Sequence, residues 1–505
     1  MRGLQETWDD QCLARSGTNN RELAAAVCAK SIIAGAGFMC DAYDLFVMNM
    51  VMVVLSYDYA ETDSDRSLIA GAVLAGSVVG QLLFGVLADY IGRRKGFIAT
   101  LSLLIVGAAM SAAAVDTKHM SVFAMLALWR FVLGVGIGGE YPLAATVSSE
   151  ASVEIAGRGR RVAGVFSMQG VGSLLAPLVI LLLLKAAGPG NVGAVWRVAL
   201  GLGAVPGVAM IYFRITMTES VAFTRAQQGG AAGSGGAAVS FQSATVHKLR
   251  ELAFHWRALM GTAGSWLIFD IAFYANGLFS STILSDFYER PDAADPDSVH
   301  VYLNHVAVAS LYLSLCALPG YWASMLVIDR IGRRRLQLIG YTGMIITYTL
   351  CGALLKPMQA HRGLFFFLYG TTFFFCNFGP NVTTFVIPSE AFPTSIRATA
   401  HGLSAAAGKV GAVIGGAMMP SILASTSLSA VMFVCAAISV VGWAWTWVWT
   451  KETGMLSTTE TEAEHAQHDR DDDAAGHDVE NIELVAPAST ARADERARII
   501  SEDSS

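Results

Sequence analysis

The sequence predicts an all-α integral membrane protein with twelve transmembrane helices in two six-helix bundles. Three observations lead there. The chain of 505 residues is 54% hydrophobic and only 15% charged, against about 25% charged in an ordinary soluble protein. Apolar runs long enough to cross a hydrocarbon core of ~30 Å recur through most of its length. The segment LADYIGRRK at 87–95 also returns as VIDRIGRRR at 327–335, which points to a duplicated unit.

Residues 1–22 are polar and carry several charges rather than a cleavable signal. Residues 1–30 therefore read as a cytoplasmic N-terminal segment, and the first span serves as its own insertion signal. The first bundle, 31–213, contains apolar runs near 31–56, 66–91, 96–115, 120–147, 161–185 and 192–213. A central loop at 214–257 includes the Gly/Ala/Ser-rich run 229–240, whose composition suits a flexible linker. The second bundle, 258–450, contains runs near 258–285, 302–328, 336–355, 362–389, 398–423 and 428–450. The tail, 451–505, carries fifteen Asp/Glu against five Lys/Arg, a net −10 that leaves the remainder of the chain at +4. It is too acidic and too poor in aromatic residues to order itself by burial. It is a solvated tail or a regulated one, its Ser and Thr residues open to modification.

Orientation follows from the short loops. Arg93, Arg94 and Lys95 follow span 2, Arg158, Arg160 and Arg161 follow span 4, Arg333 to Arg335 follow span 8, and Arg397 follows span 10, whereas the loops after spans 1 and 7 are mainly acidic. Both termini and the central loop are expected on the cytoplasmic side. Arg214, Arg225, Lys248, Arg250 and Arg257, flanking the linker, agree with that side. An offset of 240 residues aligns Asp89 with Asp329, Gly92 with Gly332, Arg93 with Arg333 and Glu150 with Glu390. A parallel duplication of six spans places a substrate site between the halves near the midplane. In the D-x-x-G-R-R loops, Asp89 and Asp329 can bond helix ends, and Arg93, Arg94, Arg333, Arg334 and Arg397 can pair with acids such as Glu150 and Glu390. Such contacts would clasp the bundles together, beside a purely topogenic use of the basic residues.

Depth singles out the polar residues inside the spans. Asp41, Glu140, Tyr141, Gln169, Asp270, Asn381 and Lys409 each lie about ten residues, or ~15 Å, from the cytoplasmic ends of their spans. They share one level, which argues for a central site. Trp266, Asp270 and Tyr274 are spaced i, i+4, i+8 and form one stripe of span 7. Asp41 and Asp44 share a face of span 1, where two neighbouring carboxylates disfavour joint ionisation and leave an exchangeable proton. Asp41 reads as the proton carrier; Asp44 reads equally as a carrier or as an ion-pair partner for Arg130. Arg130 is itself expected to meet an acid of span 1, since it lies ~15 Å along the helix from Glu140. Lys409 suits an anionic substrate, or pairs with Asp270 or Glu140 when the site is empty. Glycines 134, 136, 138 and 139 weaken span 4 as a helix but let neighbouring backbones approach.

The seven cysteines are scattered, mostly inside apolar runs, with no paired metal spacing. No nucleophile–base pair, metal cluster or nucleotide loop stands out, so an enzyme, a cofactor or a metal is not expected, and neither is a nucleic-acid partner.

With these residues in hand, the chain resembles the major facilitator superfamily over roughly 30–450 and, within it, the phosphate:proton symporters. GVLADYIGRRK at 85–95 is similar to a loop shared by many carriers of the superfamily. DAYDLF at 41–46, GGEYPLAATVSSE at 138–150, WLIFDIAFY at 266–274 and NFGPNVTTFVIPSEAFPTSIRATAHGLSAAAGK at 377–409 are more specific. The resemblance implies that Tyr141, Gln169, Trp266, Asp270, Tyr274, Asn381 and Lys409 face phosphate. It also implies that Asp41, Asp44 and Glu140 serve proton coupling, with Asp270 shared between the two roles. Inorganic phosphate, protons, the lipid bilayer and regulators of the tail are the partners so implied, and the plasma membrane is the location. Glu140 departs from the family's usual Asp by one methylene, and Thr218 replaces a usual proline. Rival readings are a carrier of a sugar or a glycerophosphodiester, and a membrane receptor that senses phosphate through its tail.

Overall fold

The computed structural model describes residues 21–59, 62–150, 157–217, 219, 241–278, 280–285, 288–292, 295–358 and 361–454. Among them, regular structure is helical. In chain order the helices are α1 (Arg21–Asp58), α2 (Asp63–Ile91), α3 (Arg93–Ala112), α4 (Val122–Glu150), α5 (Arg158–Ala187), α6 (Val192–Thr216), α7 (Phe241–Phe254), α8 (Trp256–Gly277) and α9 (Ser280–Ser285). They continue with α10 (Pro296–Ile331), α11 (Arg333–Met358), α12 (Arg362–Asn377), α13 (Pro380–Ala391), α14 (Arg397–Ser425) and α15 (Leu428–Trp449). Among the described residues, eleven segments are long and apolar enough to cross a membrane. The twelfth crossing is α12 plus α13, interrupted at Phe378 and Gly379, where Gly379 takes φ +120° and Pro380 starts the next helix. The expected continuous span 362–389 is thus two pieces, because proline has no N–H to extend the helix before it.

Other boundaries also move. The first helix begins at Arg21, ten residues before the apolar run, and the central loop contains α7. Span 7 is shorter than its apolar run, which ends in the separate turn α9. Residues 451–454, placed with the tail by composition, reach back into the fold: Thr453 Oγ1 donates to Glu390 at 2.8 Å. The Gly/Ala/Ser-rich run 229–240, Thr218 and the tail beyond 454 lie outside the described residues.

Local chemistry explains where helices start. Thr62 and Asp65 exchange bonds between side chain and backbone at the N-terminus of α2. Asp295 caps α10 by accepting from Asp297 and Ser298, and those bonds hold its carboxyl below the usual range. At the repeated basic loops, Gly92 and Gly332 adopt φ +95° and +91°, conformations glycine tolerates. The helices that follow are capped from a distance: Glu219 accepts from the amides of Arg93 and Arg94 at 3.1 and 3.2 Å. Glu452 does the same for Arg333 and Arg334 at 2.8 and 3.2 Å. Each carboxylate satisfies two of the donors that a helix start leaves unpaired.

Within the first half, α2 and α4 pack most closely, and in the second half α8 and α14 do so. Small residues make this approach feasible. A Cβ on Gly134 or Gly138 would stand 2.2 or 2.1 Å from the carbonyl oxygens of Val73 or Ser77 in α2, and one on Gly136 would stand 2.7 Å from Thr100 O in α3. The glycines of span 4 therefore serve backbone contact with two neighbours, as their spacing suggested. The halves meet along α2 with α14 and along α5 with α10.

At the end bearing the basic loops, the halves are clasped. Asp89 accepts from Thr399 N at 3.1 Å and from Thr399 Oγ1 at 2.7 Å, while pairing with Arg93 at 3.2 Å. Asp329 accepts from Arg160 N at 3.0 Å and pairs with Arg333 at 2.8 Å. Arg333 also grips Glu390 through two bonds of 2.9 and 2.8 Å. Arg158 donates to Ser149 Oγ and Ser389 O, at 2.8 and 2.9 Å, joining α4 to α13. Arg94 donates to Ile215 O, Arg334 to Trp447 O, and Arg397 to Phe392 O. From α7, Lys248 lies 3.8 Å from Asp89 and Glu251 accepts from Ser395. Burial lowers the Lys248 ammonium from its ordinary value, and Asp89 pulls it back. The side chain of Glu150, expected here, lies outside the described residues.

Gly134→Val forces a branched side chain into the Val73 carbonyl and should cost on the order of 1–3 kcal/mol. Gly71, whose added Cβ meets nothing within 4 Å, is the control. Thermal unfolding in detergent should drop for Gly134→Val and hold or rise for Gly71→Ala; equal behaviour would contradict the packing.

Candidate functional site

Lys409 is buried in α14, where an unpaired cation is costly. Its ammonium donates to Asp270 Oδ2 at 3.2 Å and to Tyr274 Oη at 2.8 Å. It also lies 5.2 Å from the Tyr141 ring centre and 4.6 Å from that of Tyr274, within cation–π range. Of the partners open to Lys409 in an empty site, the structure selects Asp270. The pairing depends on close contact of α8 and α14: a Cβ on Gly411 or Gly415 would stand 2.1 or 2.2 Å from Leu267 O or Ile271 O. One turn away, Gly408 leaves room for the Trp266 indole, whose Cδ1 is 2.4 Å from where its Cβ would be.

Asn381 belongs to the first turn of α13, just past the break in the crossing. Its amide donates to Asn377 Oδ1 at 2.7 Å and to Tyr321 Oη at 3.0 Å. Gln169 is buried on α5, and its Oε1 has no hydrogen-bond partner. It is an acceptor without a donor, which costs free energy until something supplies one. A cavity of about 60 Å³ borders Tyr321 and Asn377, the two partners of Asn381, and is lined also by Asn49, Ser173, Ser310 and Ser314, so that both halves contribute.

Aromatic rings surround the polar groups. Phe385 stacks on Phe166 at 4.6 Å, and its edge contacts reach Phe38, Tyr141 and Trp266 at 5.1, 6.2 and 6.5 Å. Tyr321 lies 6.1 Å from Phe166. Sequence reasoning did not single out Phe38, Phe166, Phe385 or Tyr321. A signal existed for three of them: Phe38, Phe166 and Phe385 precede or follow Asp41, Gln169 and Asn381 by three or four residues, one helical turn. A second signal is the repeat itself. The 240-residue offset aligns Tyr141 with Asn381, Gln169 with Lys409 and Gln81 with Tyr321, so the duplicated halves present their polar residues to the interface from equivalent positions.

The acids expected to handle protons form a separate group inside the first half. Asp41 and Asp44 are buried on α1, and Asp41 Oδ2 and both Asp44 oxygens lack hydrogen-bond partners. Arg130 does meet Asp44, but its guanidinium donates to the main-chain carbonyl rather than to the carboxylate. Gly203 of α6 leaves space for the Asp44 carboxylate, whose Oδ1 sits 1.8 Å from where a Cβ would be. Glu140 turns away from Lys409 and is held by Arg214, which donates to Oε1 and, at 2.8 Å, to Oε2. Thr100 adds a bond at 3.1 Å. Arg214 is fully buried in the last turn of α6. Read from the sequence it was only a basic flank of the central loop. Nothing in its local context distinguishes it from loop arginines such as Arg225, so only the packing reveals its partner.

The geometry brings Tyr141, Trp266, Asp270, Tyr274 and Lys409 together and links Asn381 to them through Tyr321; Gln169 is buried on α5, and its Oε1 makes no hydrogen bond to that group. The group offers one cation, one carboxylate, and phenol and amide donors. That set suits reversible binding of a small oxyanion that can also donate a hydrogen bond.

The family model described as "Sugar (and other) transporter" matches residues 29–464. Among similar curated proteins, inorganic phosphate transporter 1-6 of Oryza sativa is 36% identical over 435 residues, covering 76% of this chain and 80% of that protein. The probable inorganic phosphate transporter 1-6 of Arabidopsis thaliana is 33% identical, covering 81% and 89%. The low affinity inorganic phosphate transporter 4 of Petunia hybrida is 35% identical, covering 76% and 81%. Among solved structures, the proton:xylose symporter XylE bound to 6-bromo-6-deoxy-D-glucose superposes with a TM-score of 0.69 at 18% identity, over 87% of this chain and 99% of that one. That likeness establishes the fold. The chain is an integral membrane transporter, not an enzyme, and it belongs to the sugar (and other) transporter family of the major facilitator superfamily, in the same family as these inorganic phosphate transporters.

Proposed function

We propose that the protein imports inorganic phosphate, as H2PO4−, together with protons by alternating access. The carrying observation is the buried Lys409 ammonium shared between Asp270 and Tyr274. The pair keeps the empty site near neutrality, and an incoming anion competes for the lysine. Tyr141, Gln169, Trp266 and Asn381 complete the binding group, and the relatives' names support phosphate as the substrate.

Dihydrogen phosphate keeps hydroxyl donors at neutral pH, whereas sulfate has none. Asp270 and the unpartnered Gln169 Oε1 can accept from such hydroxyls, while a fully deprotonated oxyanion would face the Asp270 carboxylate without a shared proton. Selectivity for phosphate over sulfate follows from that repulsion. Protons load Asp41, with Asp44 and Glu140 as its neighbours, from outside, and leave inside once the halves have rocked apart at the clasp. The protein sits in the plasma membrane with both termini cytoplasmic, and regulators act on the tail beyond the last span.

Uptake of labelled phosphate into proteoliposomes should rise with an inward proton gradient. Asp270→Asn should lower it roughly tenfold to a hundredfold, the worth of one charge-assisted hydrogen bond. Uptake indifferent to the gradient would overturn the symport. Competition by arsenate but not by sulfate, xylose or glycerophosphodiesters is expected, and strong competition by a sugar or a phosphodiester would reassign the substrate. Lys409→Ala strands a buried carboxylate and should cost about 3–5 kcal/mol of stability. Lys409→Met combined with Asp270→Asn should recover stability without recovering transport, and recovery of both would remove the pair from the site.

A further inference from the structure

Arg214 and Glu140 are placed against the proton-handling face of α1 rather than against the substrate group. A Cβ on Gly37 would stand 2.2 Å from both Arg214 Nη2 and Glu140 Oε1. The ion pair therefore abuts α1 at a residue with no side chain. Asp41 is four residues further on the same helix, so it lies over Gly37 on the same face. Helix side chains lean toward the helix N-terminus, so the Asp41 carboxyl leans toward Gly37 and the pair. Asp41 Oδ2 lacks a hydrogen-bond partner, and so does Arg214 Nε. A buried acceptor thus lies on α1 one turn from Gly37, the residue that the guanidinium of Arg214, with its unpartnered donor, abuts.

We propose that Arg214 is the cation that receives the negative charge left on Asp41 when the transported proton departs, sharing its guanidinium between Glu140 and Asp41. Arg214 is then a positioning residue for proton release. This rests on the reading of Asp41 as the proton carrier. While Asp41 is protonated, Arg214 is committed to Glu140 in a bidentate pair, over the Phe97 ring at 4.7 Å and with Phe97 O accepting at 3.0 Å. When the proton leaves Asp41 Oδ2 for water on the cytoplasmic side, the carboxylate so formed is stabilised by the arginine at the cytoplasmic end of α6. The charged and titratable groups within electrostatic range of Asp41 are Glu140 and Tyr141 of α4, Arg214 of α6, and Asp44 and Cys40 of α1 itself. Arg130 of α4 faces Asp44. Among the described residues, Arg214 is the one cation of the groups acting directly on Asp41.

The test uses the full chain in proteoliposomes with labelled inorganic phosphate, comparing net uptake at varied lumen pH with phosphate–phosphate exchange. Exchange does not require proton release. Arg214→Gln should lower net uptake at a neutral lumen by about tenfold, exchange less, and about one unit of lumen alkalinisation should restore uptake. Arg214→Lys, which keeps the charge, should keep the wild-type lumen profile. Glu140→Gln, which leaves Arg214 to Asp41 alone, should shift the external profile of uptake toward acid, and it decides the matter if Arg214→Gln does not reach the membrane. Net uptake and exchange falling together in Arg214→Gln with an unshifted lumen profile, or an unshifted external profile in Glu140→Gln, overturns the proposal. Asp41→Asn separates the two levels. If it remains proton-driven, the reading of Asp41 fails; if it retains exchange alone while Arg214→Gln keeps the wild-type profile, only the assignment of Arg214 fails.

Discussion

The cost of placing charge in the hydrocarbon region governs this molecule. Lys409 is affordable at the centre of the second half because Asp270 and Tyr274 meet it, and they meet it because Gly411 and Gly415 let α8 lie against α14. The same constraint shapes the first half. Arg214, Glu140, Asp41, Asp44 and Arg130 are all buried there, and the two glycines of α1 and α6 that face them, Gly37 and Gly203, make room for charged groups rather than for apolar side chains. Glycine in these helices thus has two uses: it admits a neighbouring backbone, or it admits a charge.

Duplication divides the work unequally between the halves. Equivalent positions hold Tyr141 and Asn381, and Gln169 and Lys409, so one half supplies neutral polar groups where the other supplies the cation and its amide neighbour. The buried acids Asp41 and Asp44 sit in the first half, and the buried lysine with its partner Asp270 sits in the second. Tyr141 links them, being within electrostatic range of Asp41 on one side and of Lys409 and Asp270 on the other. At the basic end the duplication is nearly exact in chemistry, with Asp89 and Asp329 each receiving a helix-start amide from the opposite half and Glu219 and Glu452 each capping the helix of their own.

Much of this was legible in the residues. Apolar length marks the spans, and the one crossing that fails as a continuous helix fails at a Gly-Pro step visible in NFGPN. The clasp was legible because its motif occurs twice. Less legible were the starts and ends of elements outside the lipid-facing runs: α1 begins at Arg21, before its apolar run, α7 occupies part of what reads as the central loop, and Glu452 and Thr453 return to the fold from what reads as tail. α7, Glu452 and Thr453 meet tertiary partners that local composition does not encode.

The sequence by itself determined the class of molecule and the duplication, because apolar length marks a span wherever it occurs and the basic loop motif occurs twice. It could not determine rotation about each helix axis or the identity of the facing helix. Those are settled by packing, and they decided that Glu140, at the same counted depth as Tyr141, turns to Arg214 while Tyr141 turns to Lys409. Neighbours in the chain point about 100° apart on a helix of 3.6 residues per turn, so two adjacent residues at one level serve two different sites.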